Sequence, residues 1–392
     1  MVMGATRMQK LTSAIFSQVD ELRKAEIAKG KDVITLSIGS PDMSPAPHIV
    51  ETLSDAVKDL NNYGYTLTRG TTDFLEAVAG WYQQEFGVTL DPKTEVHSLI
   101  GSQEGLAHLS TCLTNPGDIV LIPDPGYPIY SAGPLSADAE LYYMPLLKEN
   151  DYLPDLEAIP EDVYRKAKFM ILNYPNNPLA ATATVEFFEK LVAYAKKYDF
   201  VVCHDFAYSH LVFDGYRPPS FLSVEGAMEV GVEFNSMSKS FNMAGCRVGY
   251  IVGNRHVIEL LGRLKSNYDY GIFYPIQKAA AVGLTGPQDC VHQTAAEYCR
   301  RRDILVDGLN KAGWKMDKPI ASMYLWAPVP TKQSSYDFTV GLLQNVGVAV
   351  IPGSAFGEYG EGYVRFALVQ PEDRLQEVVK RVGEWFKTLD LV

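Results

Sequence analysis

No pair of cysteines in this chain has the spacing of a metal or redox motif. The five present, Cys112, Cys203, Cys246, Cys290 and Cys299, are scattered and odd in number. That excludes a disulfide framework and predicts small apolar thiols in a reducing, cytoplasmic compartment. The seven histidines show no metal-ligand spacing, so no metal is expected. No apolar run approaches the ~18 residues that a membrane-spanning helix needs. The opening stretch Met1–Lys10 is interrupted by Arg7 and Gln9 and lacks the continuous apolar core of a secretory signal. Clustered positive charge is missing too, since 35 lysines and arginines stand against 47 acidic residues for a net charge of −12. Nucleic acid and anionic membranes both need basic clusters, so neither is an expected partner. A phosphate-bearing ligand would have to be held by local donors against this global field.

What is present is ordinary globular material: 392 residues, 47% hydrophobic and 21% charged, enough for a large domain with a smaller one attached. Between residues 96 and 252, short strands rich in Val, Ile and Leu alternate with helical stretches. The expected strands are Val96–Ile100, Ile119–Ile122, Glu140–Met144, Phe169–Leu172, Phe200–His204, Glu233–Met237 and Val248–Val252. Helices such as Gln103–Thr114 and Val185–Lys197 lie between them. This alternation predicts an α/β fold with a mostly parallel seven-stranded sheet covered on both faces. Ligands of such sheets bind at the carboxyl ends of the strands. Ahead of the sheet, helices are expected over 11–29, Pro47–Leu60 and Asp73–Phe86, with a short strand at Asp32–Ile38. Beyond it come helices Val257–Ser266 and Gln293–Ala312, the second carrying Arg300, Arg301 and Arg302 as solvated residues. Strands Met323–Trp326, Val348–Ile351 and Tyr363–Leu368, with a helix Pro371–Phe386, suit a smaller α+β domain.

The residues that carry chemistry cluster just after the expected strands. Ser236-Met237-Ser238-Lys239 sits on a loop between two apolar runs, eight residues before Arg247. A desolvated amine with a cationic neighbour gives up its proton readily, and the neutral form attacks carbonyls. Gly101-Ser102-Gln103 follows a strand and opens a helix, where backbone N–H groups and the helix dipole suit a phosphate. The same residues also cap ordinary helices. Asp205 follows an apolar strand, where a carboxylate is costly unless it meets a cation; capping a helix is its other reading. Gly39, in the turn Gly39-Ser40-Pro41-Asp42, either makes a plain connection or lets a ligand carboxylate approach the backbone. Tyr65, in the polar aromatic loop 61–70, and Tyr127, between two prolines, are turn tyrosines or binding residues. Arg365 interrupts an alternating strand, as a solvent-face residue or as a bidentate carboxylate clamp.

Taken in order, these elements resemble the fold-type I pyridoxal-phosphate (PLP) enzymes, in particular the class I/II aminotransferases. The match runs from about Ile38 to Leu368 and includes Asn173-Tyr174-Pro175-Asn176-Asn177-Pro178, which is similar to the family's Asn-Pro-x-Asn-Pro element. Members usually continue Thr-Gly where this chain has Leu179-Ala180. The texture of that element, and of His204-Asp205-Phe206-Ala207-Tyr208, looks like the LL-diaminopimelate and alanine-forming subgroup. That subgroup commonly carries Ser-Lys where this chain has Ser102-Gln103.

The resemblance implies an aspartate aminotransferase-like fold, with a large PLP-binding domain over 47–284 and a small domain built from 1–46 and 285–392. It implies PLP as cofactor and Lys239 as the Schiff-base lysine that also shuttles the substrate proton. Asp205 then pairs with the ring nitrogen, Asn177 and Tyr208 bond the ring O3′, and Tyr127 stacks on the ring. Ser102, Gln103, Ser236, Ser238 and Arg247 surround the phosphate. Tyr65 would reach the partner chain's phosphate in a homodimer, and the loop 267–273 would line the neighbouring pocket. Gly39, Asn177 and Arg365 fall to the substrate, Arg365 as the α-carboxylate clamp. The implied reaction moves an amino group between an L-amino acid and a 2-oxo acid, with alanine, glutamate, aspartate and LL-diaminopimelate as candidates. Two other chemistries stay open at this point. One is C–S β-elimination on the same fold; the other is a non-catalytic PLP-binding regulatory role, which the missing basic patch disfavours.

Overall fold

The computed structural model describes residues 4–11 and 14–391. Met1–Met3, Thr12, Ser13 and Val392 lie outside the described residues, and with them the start of the opening stretch and two residues of the helix expected over 11–29. The helix itself runs Ala14–Ala28, after a short 3-10 turn at Thr6–Lys10. Strand β1 (Ile34–Thr35) is shorter than expected and pairs in parallel with Val348–Ala349, more than 300 residues away.

Strands β2 (Val96–Leu99), β3 (Ile119–Asp124), β4 (Glu140–Pro145), β5 (Ala167–Asn173), β6 (Val201–Asp205), β7 (Gly231–Ser236) and β8 (Gly249–Gly253) form one seven-stranded sheet. Their spatial order is β2-β8-β7-β6-β5-β3-β4. Strands β3 to β7 pair in parallel, whereas β8 runs antiparallel to both β7 and β2. Alternate residues of each strand feed two separate cores. On β5, Met170 and Leu172 join the face covered by helices Thr72–Phe86, Val185–Tyr198 and Tyr274–Thr285. Phe169 and Ile171 join the other, under helices Ser102–Leu113 and Arg255–Tyr268. Both faces are dry, so the strands read as continuous apolar runs rather than as alternating ones.

The carboxy-terminal elements are β9 (Tyr324–Pro328), β10 (Val348–Ala349), β11 (Ile351–Pro352) and β12 (Tyr363–Ala367). The strand expected at Val348–Ile351 is split at Val350: its first half pairs with β1 and its second with β12. A third core gathers Ile34 and Leu36 with Trp314, Phe366 and Val382, and takes in Tyr208 from the loop after β6. This packing joins Ile34 and Leu36 and the carboxy-terminal strands to the loop at the carboxyl end of β6.

The expectation of three solvated arginines fails for two of them. On helix Asp289–Lys311, Arg300 is exposed, but Arg301 and Arg302 are 4% and 1% accessible. Arg301 forks onto both carboxylate oxygens of Asp42 (2.7 and 2.9 Å) and onto Glu297 (2.8 Å). Arg302 pairs with Asp214 (2.6 Å) and lies over the Phe213 ring. Asp42 and Asp214 come from distant segments, which helical periodicity cannot reveal. Arg301 thereby anchors the Gly39–Asp42 turn beside the cavity described next.

Candidate active site

Three adjoining parallel strands end together and place three functional groups side by side. Asn173 closes β5, and its Oδ1 accepts the backbone N–H of Asn177 (2.7 Å) while its Nδ2 donates to the Asp205 carbonyl (2.7 Å). Asp205 is the last residue of β6 rather than the first after it, and it is 5% exposed. Tyr130 donates its hydroxyl to Asp205 Oδ2 (2.8 Å), and the Ala207 N–H reaches Oδ1 (3.3 Å). Burial pushes this carboxyl above its ordinary value, against the pull of those two donors. No cationic side chain pairs with it among the described residues. His204 faces the other way, with Nδ1 on Glu233 (2.7 Å) and Nε2 on the Tyr174 carbonyl (3.0 Å), as a structural residue. At the end of β7, Ser236 Oγ caps the short helix Met237–Ser240 at the Ser238 N–H (3.1 Å) and meets Ser238 Oγ (2.9 Å). Half-buried Lys239 donates Nζ to the Gly39 carbonyl (2.7 Å) and lies 5.8 Å from the Tyr208 ring centroid.

At one end of the site the chain builds an anion cradle. Gly101 has φ +73° and ψ 154° ahead of helix Ser102–Leu113, a conformation essentially confined to glycine. A Cβ there would also lie 2.4 Å from Arg247 Nη2. Arg247 itself adopts φ +53° and ties Nη1 to the Ala244 carbonyl (3.1 Å). The helix N-terminus, the Ser236 and Ser238 hydroxyls and Arg247 thus border one space. Gln103 accepts the Tyr127 hydroxyl (3.1 Å) at its rim. Beneath the turn, Glu104 takes the Ile100 N–H (3.1 Å) and the buried Lys265 ammonium (2.8 Å), which also holds Asp269 (3.1 Å). Glu104, His108 and Asp269 bring possible metal-ligand atoms together, but two of those three carboxylates and histidines already share the Lys265 charge. Replacing Gly101 by alanine forces about 1–3 kcal/mol of backbone strain and moves Arg247. Cofactor affinity, read by equilibrium dialysis against free PLP, should fall about tenfold or more.

At the other end stands a buried cation. Arg365, on β12, is 4% exposed; Nη1 donates to Asn177 Oδ1 (2.9 Å) and Nη2 to the Ser37 carbonyl (2.7 Å). Its Nε is buried without a partner, and no carboxylate pairs with it among the described residues. The guanidinium lies between the rings of Tyr324 (4.4 Å) and Phe356 (4.8 Å). Gly39 finds a physical reason different from the expected one. A Cβ there would fall 2.0 Å from the Tyr324 hydroxyl, so glycine makes room for a phenol of the protein itself.

Sequence reasoning missed Tyr130, which bonds Asp205, and Tyr324. Tyr324 sits in a short apolar strand with no local signal, and only the docking of β9 brings it to Tyr208, hydroxyl to hydroxyl at 3.2 Å. Asn177 Nδ2 completes the chain at 3.4 Å from the Tyr208 hydroxyl. Burial raises both phenols. For Tyr208 burial wins, whereas for Tyr324 the charges of Lys239 and Arg365 outweigh it and hold the phenol below its ordinary value.

One cavity of about 680 Å³ is lined by every site residue expected from the sequence except Tyr65. Tyr65 is 87% exposed and stacked on Tyr270 at 4.6 Å, outside this chain's own cavity lining. A buried unpaired carboxylate, a buried unpaired guanidinium, a free amine and an anion cradle around one space fit a ligand with a cationic ring nitrogen, a phosphate and a carboxylate-bearing adduct. PLP with an amino acid has those groups.

Comparison with known proteins gives the same answer. Residues 31–382 match the profile of the family described as aminotransferase class I and II. An LL-diaminopimelate aminotransferase from Moorella thermoacetica is 47% identical over 378 residues, covering 96% of this chain and 97% of that relative. Among solved structures, substrate-bound BacF from Bacillus subtilis superposes with a TM-score of 0.95 at 39% identity, covering 98% of both chains. A single mutant of Thermus thermophilus aspartate aminotransferase gives 0.92 at 27% identity, over 98% of this chain and 100% of that one.

Proposed function

The chain belongs to the class I and II aminotransferases, PLP-dependent enzymes with an aspartate aminotransferase-like fold, and we propose LL-diaminopimelate as its first amino donor to test. The observation that carries the site assignment is the pair of buried, oppositely charged and unpaired groups, Asp205 and Arg365, in one cavity with Lys239. LL-diaminopimelate is favoured over alanine, glutamate and aspartate by the name of the 47% identical relative. Asp20 also lines the cavity, but Lys24 (2.6 Å) and Arg23 (2.7 Å) already share its carboxylate, so the donor assignment rests on the relative alone.

PLP, when bound, supplies a carbonyl that captures the amino group and a ring that takes up the electron pair left at Cα. The protein supplies the rest. Arg365 would grip the substrate α-carboxylate with the N–H groups that Asn177 and Ser37 leave free, and so orient the Cα–H bond. Asp205 keeps the ring nitrogen protonated, which its own burial makes energetically urgent. With PLP bound, Asn177 and Tyr208 would bond the ring oxygen and Tyr127 would lie against the ring. Ser102, Gln103, Ser236, Ser238 and Arg247 would hold the phosphate end. The Lys239 amine, lining the same cavity, would take the substrate Cα proton as general base and give it back as general acid.

The test is an absorbance scan while single amino acids are added. LL-diaminopimelate should bleach the yellow holoenzyme towards the near-ultraviolet, and a 2-oxo acid should restore the colour. Bleaching by alanine, glutamate or aspartate alone would transfer the donor assignment to that amino acid. Released ammonia with lasting colour would mean β-elimination instead.

The same reading makes the enzyme a homodimer. Tyr65, Leu60 and Leu67 are 80% or more exposed and Tyr270 is 63% exposed, an apolar surface that suits a second copy and leaves Tyr65 for the partner's phosphate. The third hydrophobic core supports dividing the chain into a large domain at 47–284 and a small domain from 1–46 and 285–392. Among the described residues no helix is long and apolar enough to cross a membrane, and cytoplasmic placement rests on the scattered cysteines.

A further inference from the structure

We propose that Tyr324 is a two-part positioning residue, whose hydroxyl accepts the Tyr208 proton and whose ring seats the Arg365 guanidinium. One side chain on β9 then links the cofactor-ring end of the cavity to the carboxylate clamp. The inference rests on the site reading above and goes beyond it, since neither the motifs nor the comparisons assign Tyr324 a task.

The geometry requires a donor and an acceptor between two hydroxyls 3.2 Å apart and buried to 6% and 2% exposure. Asn177 Nδ2 already donates towards the Tyr208 oxygen, which leaves the Tyr208 proton free to point at Tyr324. The charged and titratable groups facing Tyr324 are Tyr208, Lys239, Arg365, Asp205, Tyr127 and Tyr298. Asp205 disfavours negative charge on both phenols, whereas Lys239 and Arg365 favour it on the Tyr324 oxygen. Those two cations, with the Asn177 donor on Tyr208, make Tyr324 the acceptor. Its ring meanwhile presents a face to the guanidinium at 4.4 Å, where a desolvated cation gains about 2 kcal/mol. Gly39 is the cost of fitting this phenol, because any larger residue would collide with the hydroxyl.

The two halves separate by substitution. Tyr324→Phe keeps the ring and the fold and removes only the acceptor. An electron-rich oxygen near the nitrogen through which Lys239 holds PLP favours the protonated form of that linkage. It also competes with the ring oxygen for the Tyr208 proton. Without it, the pH midpoint of the bound cofactor's yellow-to-colourless transition should drop by about half a unit or more, the equivalent of one modest hydrogen bond. The apparent dissociation constant for the amino donor, read from cofactor bleaching with LL-diaminopimelate and with L-glutamate, should stay within about twofold. Tyr324→Leu removes the ring as well, and should weaken that constant by about tenfold or more for whichever donor bleaches the wild type. A midpoint in Tyr324→Phe that is unchanged or raised overturns the acceptor half. Unchanged donor binding in Tyr324→Leu, with cofactor stoichiometry intact, overturns the clamp half. A wild-type enzyme that no amino acid bleaches would instead refute the transamination reading, and the pH midpoint would still judge the hydroxyl.

Discussion

Lys239→Ala should lower turnover by roughly 10³-fold or more, because one group both forms the covalent link and carries the Cα proton. The protein should fold and hold PLP nonetheless. Lys239 makes a single side-chain hydrogen bond, to the Gly39 carbonyl, and its loss leaves the Ser236–Ser238 cap and the Gly101–Arg247 cradle untouched. Alanine also keeps the short helix Met237–Ser240. Purified variant mixed with PLP and an amino donor in a stopped-flow spectrometer should therefore show a bound cofactor that changes slowly or not at all. A near-normal single-turnover rate would sink the assignment of Lys239.

Arg365→Met should have the second largest effect, and in two opposite directions. The clamp offers a carboxylate two charge-assisted hydrogen bonds, each worth about 1.5–3 kcal/mol. Removing them should raise the apparent dissociation constant for an amino donor by about 10²- to 10³-fold, with PLP binding retained. Arg365→Lys should recover little, since an ammonium cannot reproduce the planar fork. The ligand-free protein, by contrast, should melt higher. Arg365 is a buried cation with two hydrogen-bond acceptors, two aromatic faces and an unpartnered Nε, and burial already pushes its guanidinium below the ordinary value. Methionine of similar volume relieves that desolvation by about 1 kcal/mol or more. Calorimetry of the apo form showing a lower melting temperature would mean that Arg365 also organises β12, and that the clamp carries structural weight.

These opposite effects share one cause. Asp205 and Arg365 are buried, each without a counter-ion of the protein among the described residues, so part of the free energy of desolvation is stored until ligand supplies the missing charge. Such groups are the reverse of what stabilises a fold, and that is why they mark function.

Local pattern was enough for much of this. The alternation of short apolar strands and helices predicted a mostly parallel seven-stranded sheet, and the sheet is there, with only β8 running antiparallel to its two neighbours. Boundaries moved by a residue or two, as when β6 extended to include Asp205. Motif order pointed to the candidate lysine, aspartate, asparagine and both arginines; Asn177, Asp205 and Lys239 stand at the carboxyl ends of parallel strands, whereas Arg365 lies within antiparallel β12. The errors share a character. Arg301 and Arg302 look solvated on a helical wheel, yet their partners Asp42 and Asp214 arrive from other segments. Val348–Ile351 reads as one strand and is split between two pairings by what docks on either side.

The sequence by itself therefore determined the fold class and the cofactor chemistry and pointed to the candidate catalytic groups, since periodicity and motif spacing are properties of neighbouring residues. Only the tertiary structure decided how those groups meet: the Tyr324 hydroxyl against Tyr208, the phenol that makes Gly39 obligatory, the aromatic faces around Arg365. These are contacts between β9, β12, the loop after β6 and the turn at residue 39. They exist only after the third core has closed over the carboxyl end of the sheet, and no stretch of chain carries them alone.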